Sequence, residues 1–327
     1  TDPQQIGEVL RETLPESIDG TFEIERCRVQ LIDYARRYRS VLRYQVEGRR
    51  PGASRNEHRL VYGKVFDDTL GALTGPVTAA LREGLVGGRG YQFNVPRVLG
   101  WRADMRLALL EAIPGEPVIS DMLKARLRGR PTPSGAASLE EMITTCAKIA
   151  VTLHNSGVKL GRRRTFDDEL ASLRQGFADM RRYSPELAER LEGWTDQIST
   201  YAEQSDSLPL SFCHGDFTYT QVIFAGQQAG LVDFDAVCQA ESALDLGHFM
   251  AYLAIASVKA QKLAGGAPNT LVDELRDRFL RTYIADRRRG AAARARGRVP
   301  DGQLATPRAA QLAEVQGQPA RECACAD

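Results

Sequence analysis

The chain has no apolar run long enough to cross a membrane: its longest, at 249–258, is well short of the roughly 20 residues a helical span needs. It starts TDPQQIGEVLRETLPES, polar and acidic, with no basic start leading into an apolar stretch, which argues against a secretory signal. A formal net charge of +1 leaves no global field to hold nucleic acid or an anionic membrane. The cysteines (Cys27, Cys146, Cys213, Cys238, Cys323 and Cys325) never form a C-x-x-C pair, and 327 residues do not need disulfide staples, so buried reduced thiols are expected. His58, His154, His214 and His248 are too dispersed for a metal cage. These absences describe a soluble, cytoplasmic protein without nucleic-acid or membrane partners. Lysine is also scarce in the first third, where Lys64 is the only one before Lys124. In a chain whose cations are mostly arginine, that placement hints that a compact ammonium is wanted there.

What is present divides the chain in two. ERCRVQLIDYA (25–35) and VLRYQVEG (41–48) are β-rich runs joined by the turn RRYRS, and HRLVYGKVF (58–66) is a third run of strand length. Leu70, Leu73, Val77 and Leu81 recur at helical spacing, with Gly84 expected to close the helix. NVPRVLGW and MRLALLEAI supply two further strands, so residues 1–110 read as a small α+β lobe of strands and turns with one helix. From 111 to 285 the pattern is mainly helical. SLEEMITTCAKIAVTLHNSG opens with a Ser138–Glu141 capping box, and DDELASLRQGFADMRR and SPELAERLEGWTDQISTYAEQ are amphipathic. A strand-turn-strand segment, LSFCHGDFTYTQVIFAGQQAGLVDFD, precedes two closing helices, ALDLGHFMAYLAIASVKAQKL and LVDELRDRFLRTYIAD. Residues 286–327 are rich in Arg and Ala with little apolar periodicity and read as a flexible tail. A nucleic-acid site at 287–298 fails on net charge and on the lack of interleaved aromatics.

The chemistry-bearing stretch is HGDFTYTQ (214–221) followed by LVDFD (231–235). Phosphoryl transfer needs one carboxylate beside the acceptor hydroxyl, a second to hold Mg²⁺ against a triphosphate, and a further oxygen ligand. Asp216 sits in a loop between strands, and pairing across the short GQQAG turn would bring Gln221 and Asp233 together. H-G-D-x-x-x-x-Q with L-V-D-F-D resembles the catalytic and metal segments of the aminoglycoside phosphotransferase family, small-molecule relatives of the protein kinases. The run ESALDLG (241–247) is similar to a downstream segment of that family. The resemblance covers about 25–285 in order of elements and is motif-grade from 208 to 250.

The resemblance implies a protein-kinase-like two-lobed α+β fold: a nucleotide-binding lobe with an antiparallel sheet and one helix, then a mainly helical catalytic and acceptor-binding lobe. It implies ATP or GTP as donor, Mg²⁺ as cofactor and the hydroxyl of a small molecule as acceptor. Asp216 would be the base and His214 would brace its loop, with Asp245 holding it from the next helix; Asp233 and Gln221 would hold the metal. Lys64 would meet the α/β-phosphates, Glu111, Ala112 and Ile113 would offer backbone to adenine, and Glu83 is the nearest acid for the lysine's helical partner. Asp235 either binds metal or closes a turn. Arg162, Arg163 and Arg164 read as an exposed loop, and Gly84, Gly87, Gly88 and Gly90 as a turn, since they follow Lys64 rather than separate the first two strands.

Three departures from the family stand out. Gln221 replaces the usual Asn. RRYRS has no glycine, leaving phosphate to Arg36, Arg37, Arg39 or a tighter backbone. The Arg/Ala tail stands where relatives carry further helix. The alternative reading is a catalytically silent kinase-like binding or regulatory protein. The mixed charges at Asp273, Glu274, Arg276, Asp277, Arg278 and Arg281 lean towards a neutral or weakly charged acceptor.

Overall fold

A computed structural model describes residues 3–35, 39–66, 70–86, 90–131, 137–204, 207–263 and 270–297. The chain divides into two compact units, one of residues 1–117 with 221–235, the other of 118–220 with 236–327.

The first unit opens with helices α1 (Pro3–Thr13) and α2 (Pro15–Ile18), a stretch to which the sequence pattern assigned no element. Its polar composition hides a single stripe: Ile6, Leu10 and Leu14, spaced four apart, are buried against Phe22, Ile24, Tyr44, Val46 and Leu109. Strands β1 (Glu23–Ala35), β2 (Arg39–Arg49), β3 (Glu57–Phe66), β4 (Val98–Arg102) and β5 (Leu107–Glu111) form an antiparallel sheet in the order β1-β2-β3-β5-β4. Helix α3 (Thr74–Val86) follows a 3₁₀ turn at Leu70–Leu73 and runs past Gly84. Leu85 is buried on the face shared with Val77 and Leu81, so packing carries the helix through the glycine that was expected to end it. Gly87, Gly88, Arg36, Arg37 and the Arg39 side chain lie outside the described residues.

The second unit begins with α4 (Ile119–Leu127) and α5 (Leu139–His154). The capping box at the start of α5 is formed, with the Ser138 hydroxyl accepting the Glu141 N–H and the Glu141 carboxylate accepting the Ser138 N–H. The two-residue strand β6 (Arg162–Arg163), α6 (Phe166–Met180), α7 (Pro185–Glu203) and β7 (Leu210–Cys213) come next. The chain then returns to the first unit for the hairpin β8 (Val222–Ala225) and β9 (Gln228–Leu231), whose turn is only Gly226 and Gln227. Bridges from Asn94 to Gly230 and from Glu116 to Phe224 fix that hairpin within its unit.

Strand β10 (Cys238–Glu241) pairs antiparallel with β7 and parallel with β6. Helices α8 (Ala243–Leu263) and α9 (Leu271–Gly297) follow. The helix therefore passes the expected boundary at 286 and takes in 286–297. Alanine and arginine are among the best helix formers, so α9 continues where apolar periodicity stops. Residues 298–327 lie outside the described residues. Cys146, Cys213 and Cys238 are buried free thiols, and Cys27 is a half-buried one. Among the described residues no helix is long and apolar enough to cross a membrane.

Candidate active site

In the first unit, β3 carries Lys64 into the protein, where it is only 8 % exposed. A buried ammonium needs close countercharges. Lys64 Nζ donates to Asp233 Oδ1 at 2.5 Å and to Asp235 Oδ1 and Oδ2 at 3.0 and 2.9 Å. The hairpin makes this possible: Val222 pairs with Leu231, the Gln221 carbonyl accepts the Val232 N–H at 3.1 Å, and the chain turns at Asp233. Asp233 has a φ of 72°, left-handed for a residue with a Cβ, which costs about 1–2 kcal/mol. Gln221 Nε2 donates to Asp233 Oδ2 at 3.2 Å. Lys64, Gln221, Asp233 and Asp235 thus form one polar group. Burial raises the pKa of Asp235, the neighbouring Asp233 adds to the rise, and Lys64 opposes it.

Asp235 is accordingly neither an idle turn residue nor a remote one, since both its oxygens engage Lys64. Glu83, the sequence candidate for that partnership, is exposed on α3. The face of α3 that turns inward presents Thr74, Val77, Thr78 and Leu81, none of them acidic. At the end of β5, Glu111 is tied down: its N–H donates to the Arg97 carbonyl at 2.8 Å, and its carboxylate accepts the Arg97 N–H at 3.3 Å and lies 3.7 Å from Arg82. Ala112 and Ile113 follow the last ladder pair, Val61 with Glu111. A Cβ on Gly230 would come within 2.6 Å of the tip of the Ile113 side chain, so the hairpin packs closely on this segment.

In the second unit, His214, Gly215 and Asp216 leave β7 in a loop. Gly215 has a φ of 80°, and a Cβ there would lie 2.0 Å from the Ala236 carbonyl oxygen. Only glycine fits between His214 and Asp216. His214 is fully buried, with its ring edge-on to Phe217 at 6.1 Å, and Asp216 is half-buried. The loop hangs from Asp245 at the start of α8, whose oxygens accept the backbone N–H groups of His214 and Gly215 at 2.8 Å each. Burial works to raise the pKa of Asp245, but the hydrogen bond and charge of His154 and the bond from His214 outweigh it, and the carboxyl lies below its ordinary value.

Arg164 is the residue that sequence reading missed. The expected loop is not one: Arg162 and Arg163 are exposed on strand β6, and Arg164 turns inward, pairs through both ends of its guanidinium with Glu169 and donates to the Gly215 carbonyl at 3.4 Å. The signal for it was the Thr165–Asp168 capping box, which starts α6 one residue later and places Glu169 in the first turn. Beside this pair lies a cavity of about 280 Å³, walled by Phe166, Leu244 and Met250 and edged by Arg164, Glu169, Glu241 and His248.

Residues 75–295 match the profile of the phosphotransferase enzyme family. No curated protein matches the chain by sequence. Among solved structures, the GDP complex of wild-type aminoglycoside 2'-phosphotransferase-IIIa superposes with a TM-score of 0.52 at 13% identity, over 90% of this chain and 94% of that one. Spectinomycin phosphotransferase in complex with ADP and spectinomycin gives 0.53 at 11% identity, over 95% and 82%. Choline kinase from Cryptosporidium parvum gives 0.54 at 11%, over 88% and 79%. At such identities the likeness is one of fold, and the fold is the α+β, kinase-like one.

Proposed function

The chain belongs to the phosphotransferase enzyme family and is a small-molecule kinase; from that premise we propose that it moves the γ-phosphoryl of ATP or GTP to an alcohol, with Asp216 as base. The observation that carries this reading is the Lys64 ammonium held by Asp233 and Asp235, with Gln221 on Asp233. Lys64 meets the α/β-phosphates, and the backbone of Glu111, Ala112 and Ile113 meets the base. Asp216 orients the acceptor hydroxyl and takes its proton, while His214 and Asp245 keep its loop in place.

The donor set suits Mg²⁺, a hard cation that takes oxygen ligands. The Gln221 amide and Asp233 Oδ2 lie 3.2 Å apart, near enough for both side chains to reach one ion. A half-turn of the amide presents Oε1 in place of Nε2. Asp233 and Gln221 would hold the ion, which neutralises charge on the β- and γ-phosphates when bound.

The acceptor we assign to the cavity beside Arg164 is a neutral or singly charged alcohol with an apolar body. Glu169 is already answered by Arg164, so Glu169 and Glu241 against one guanidinium leave at most one net negative charge in the lining. A polycation would find too few partners there. The reading is tested by calorimetry with Mg·ATP and Mg·GTP. Wild type binds at least one of them, and Lys64→Met loses about tenfold or more in affinity, as expected for removing a charge-assisted contact. Binding of neither nucleotide, or equal binding by the variant, contradicts it.

A further inference from the structure

Helix α9 contributes nothing to the chemistry just described, yet it reaches the Asp216 loop by two buried routes. The first is a column of rings: Phe279 of α9 stacks on Phe249 of α8 at 4.1 Å, and Phe249 stacks on Phe217 of the loop at 5.6 Å. The second is polar. The Tyr283 hydroxyl of α9 lies 2.8 Å from His154 Nδ1, and His154 Nε2 lies 3.0 Å from Asp245 Oδ2. That same Oδ2 takes the His214 N–H, and Oδ1 takes the Gly215 N–H. Tyr283, His154 and Asp245 are 3%, 5% and 0% exposed, so water does not compete for these bonds.

The direction of the bonds follows from the carboxylate. Ionised Asp245 can only accept, so His154 Nε2 carries the hydrogen that faces it. The Tyr283 hydroxyl, which can donate or accept, answers the ring's other nitrogen, Nδ1. Asp245 accepts from two peptide N–H groups and one imidazole, and the far side of that imidazole is held by a single hydroxyl. One turn beyond Tyr283, Arg287 Nη1 donates to Asn155 Oδ1 at 2.8 Å, so α9 grips the end of α5 at consecutive residues, His154 and Asn155. His154 is the last residue of that helix, where the ring would otherwise be the least restrained.

We infer that Tyr283 is a positioning residue: through His154 and Asp245 it couples helix α9 to the loop that presents Asp216. The role rests on the reading of Asp216 as base, but the coupling itself does not. Losing the hydroxyl leaves the His154 ring free to tilt, Asp245 loses the fixed direction of one of its bonds, and the His214 and Gly215 amides open more often. The base then spends less time in its productive position, which lowers kcat and leaves nucleotide binding unchanged.

The experiment compares Tyr283→Phe with Leu275→Ala, a buried residue of α9 outside the relay, by hydrogen exchange at the His214 and Gly215 amides. In Tyr283→Phe these two amides exchange about tenfold faster, beyond what its loss of global stability explains, whereas in Leu275→Ala they change only as much as the whole unit does. Wild-type exchange at both amides in Tyr283→Phe, or equal effects in the two variants, overturns the coupling. His154→Asn, which interrupts the relay at its middle, is read the same way should Tyr283→Phe not fold. Steady-state kinetics add a lower kcat with an unchanged nucleotide KM. A wild type without turnover would sink the transferase reading, while the exchange comparison would still decide the relay.

Discussion

Lys64 is an ammonium taken almost wholly out of water, and two carboxylates answer it at hydrogen-bond distance. Of these, Asp235 is the less expected. The helix beside the sheet offers no inward-facing acid, so the carboxylate that fixes the lysine comes from the hairpin instead, two residues after the metal-ligand candidate. Replacing Asp235 by Asn keeps the shape and removes the charge. Affinity for Mg·nucleotide should fall about tenfold in calorimetry while the melting temperature stays close to wild type; unchanged affinity would leave Asp235 without a role in holding Lys64. The H-G-D and L-V-D-F-D patterns were visible in the sequence, and the structure gives them a backbone reason: Gly215 cannot be replaced at a φ of 80°, and Asp233 stands at a left-handed corner that Asp tolerates better than most. Tyr283 was not readable, and of Arg164 only the pairing with Glu169 had a local signal. The Arg164 bond to Gly215 and the Tyr283 contact with His154 span 51 and 129 positions, which no local pattern announces.

At the scale of elements, the strands of the first unit were legible from their β-branched and aromatic runs, and α5 from its capping box and apolar face. Helix α1 was not, since its buried face carries few apolar residues, Ile6, Leu10 and Leu14 with Val9 packed beside them, among mostly polar neighbours. Its contribution is nonetheless large. Leu10 is fully buried against the sheet, and Leu10→Ala should destabilise the protein by about 2–5 kcal/mol in denaturant titration. A loss under about 0.5 kcal/mol would mean that α1 is a detachable arm. The extension of α9 to Gly297 has the opposite lesson: helix propensity sustained an element after the burial signal had ended.

For the whole molecule, the ion pairs at the surface are mostly exposed and contribute little, so the buried carboxylate of Asp245 is the one to follow in acid. Asp245 has a folded pKa below its ordinary 3.8. Its contribution is therefore complete above that value and is lost as pH falls through the lower folded value. Asp245→Asn should flatten the fall of the melting temperature below about pH 4; an unchanged slope would place the acid sensitivity elsewhere.

The most direct test of the account is acceptor-dependent release of nucleoside diphosphate, measured with Mg·ATP or Mg·GTP across neutral and singly charged alcohols, for wild type and Asp216→Ala. At least one alcohol should stimulate release by wild type, and the variant should bind nucleotide as before while its turnover falls at least about a hundredfold. A variant that turns over at the wild-type rate would contradict the assignment of Asp216 as base.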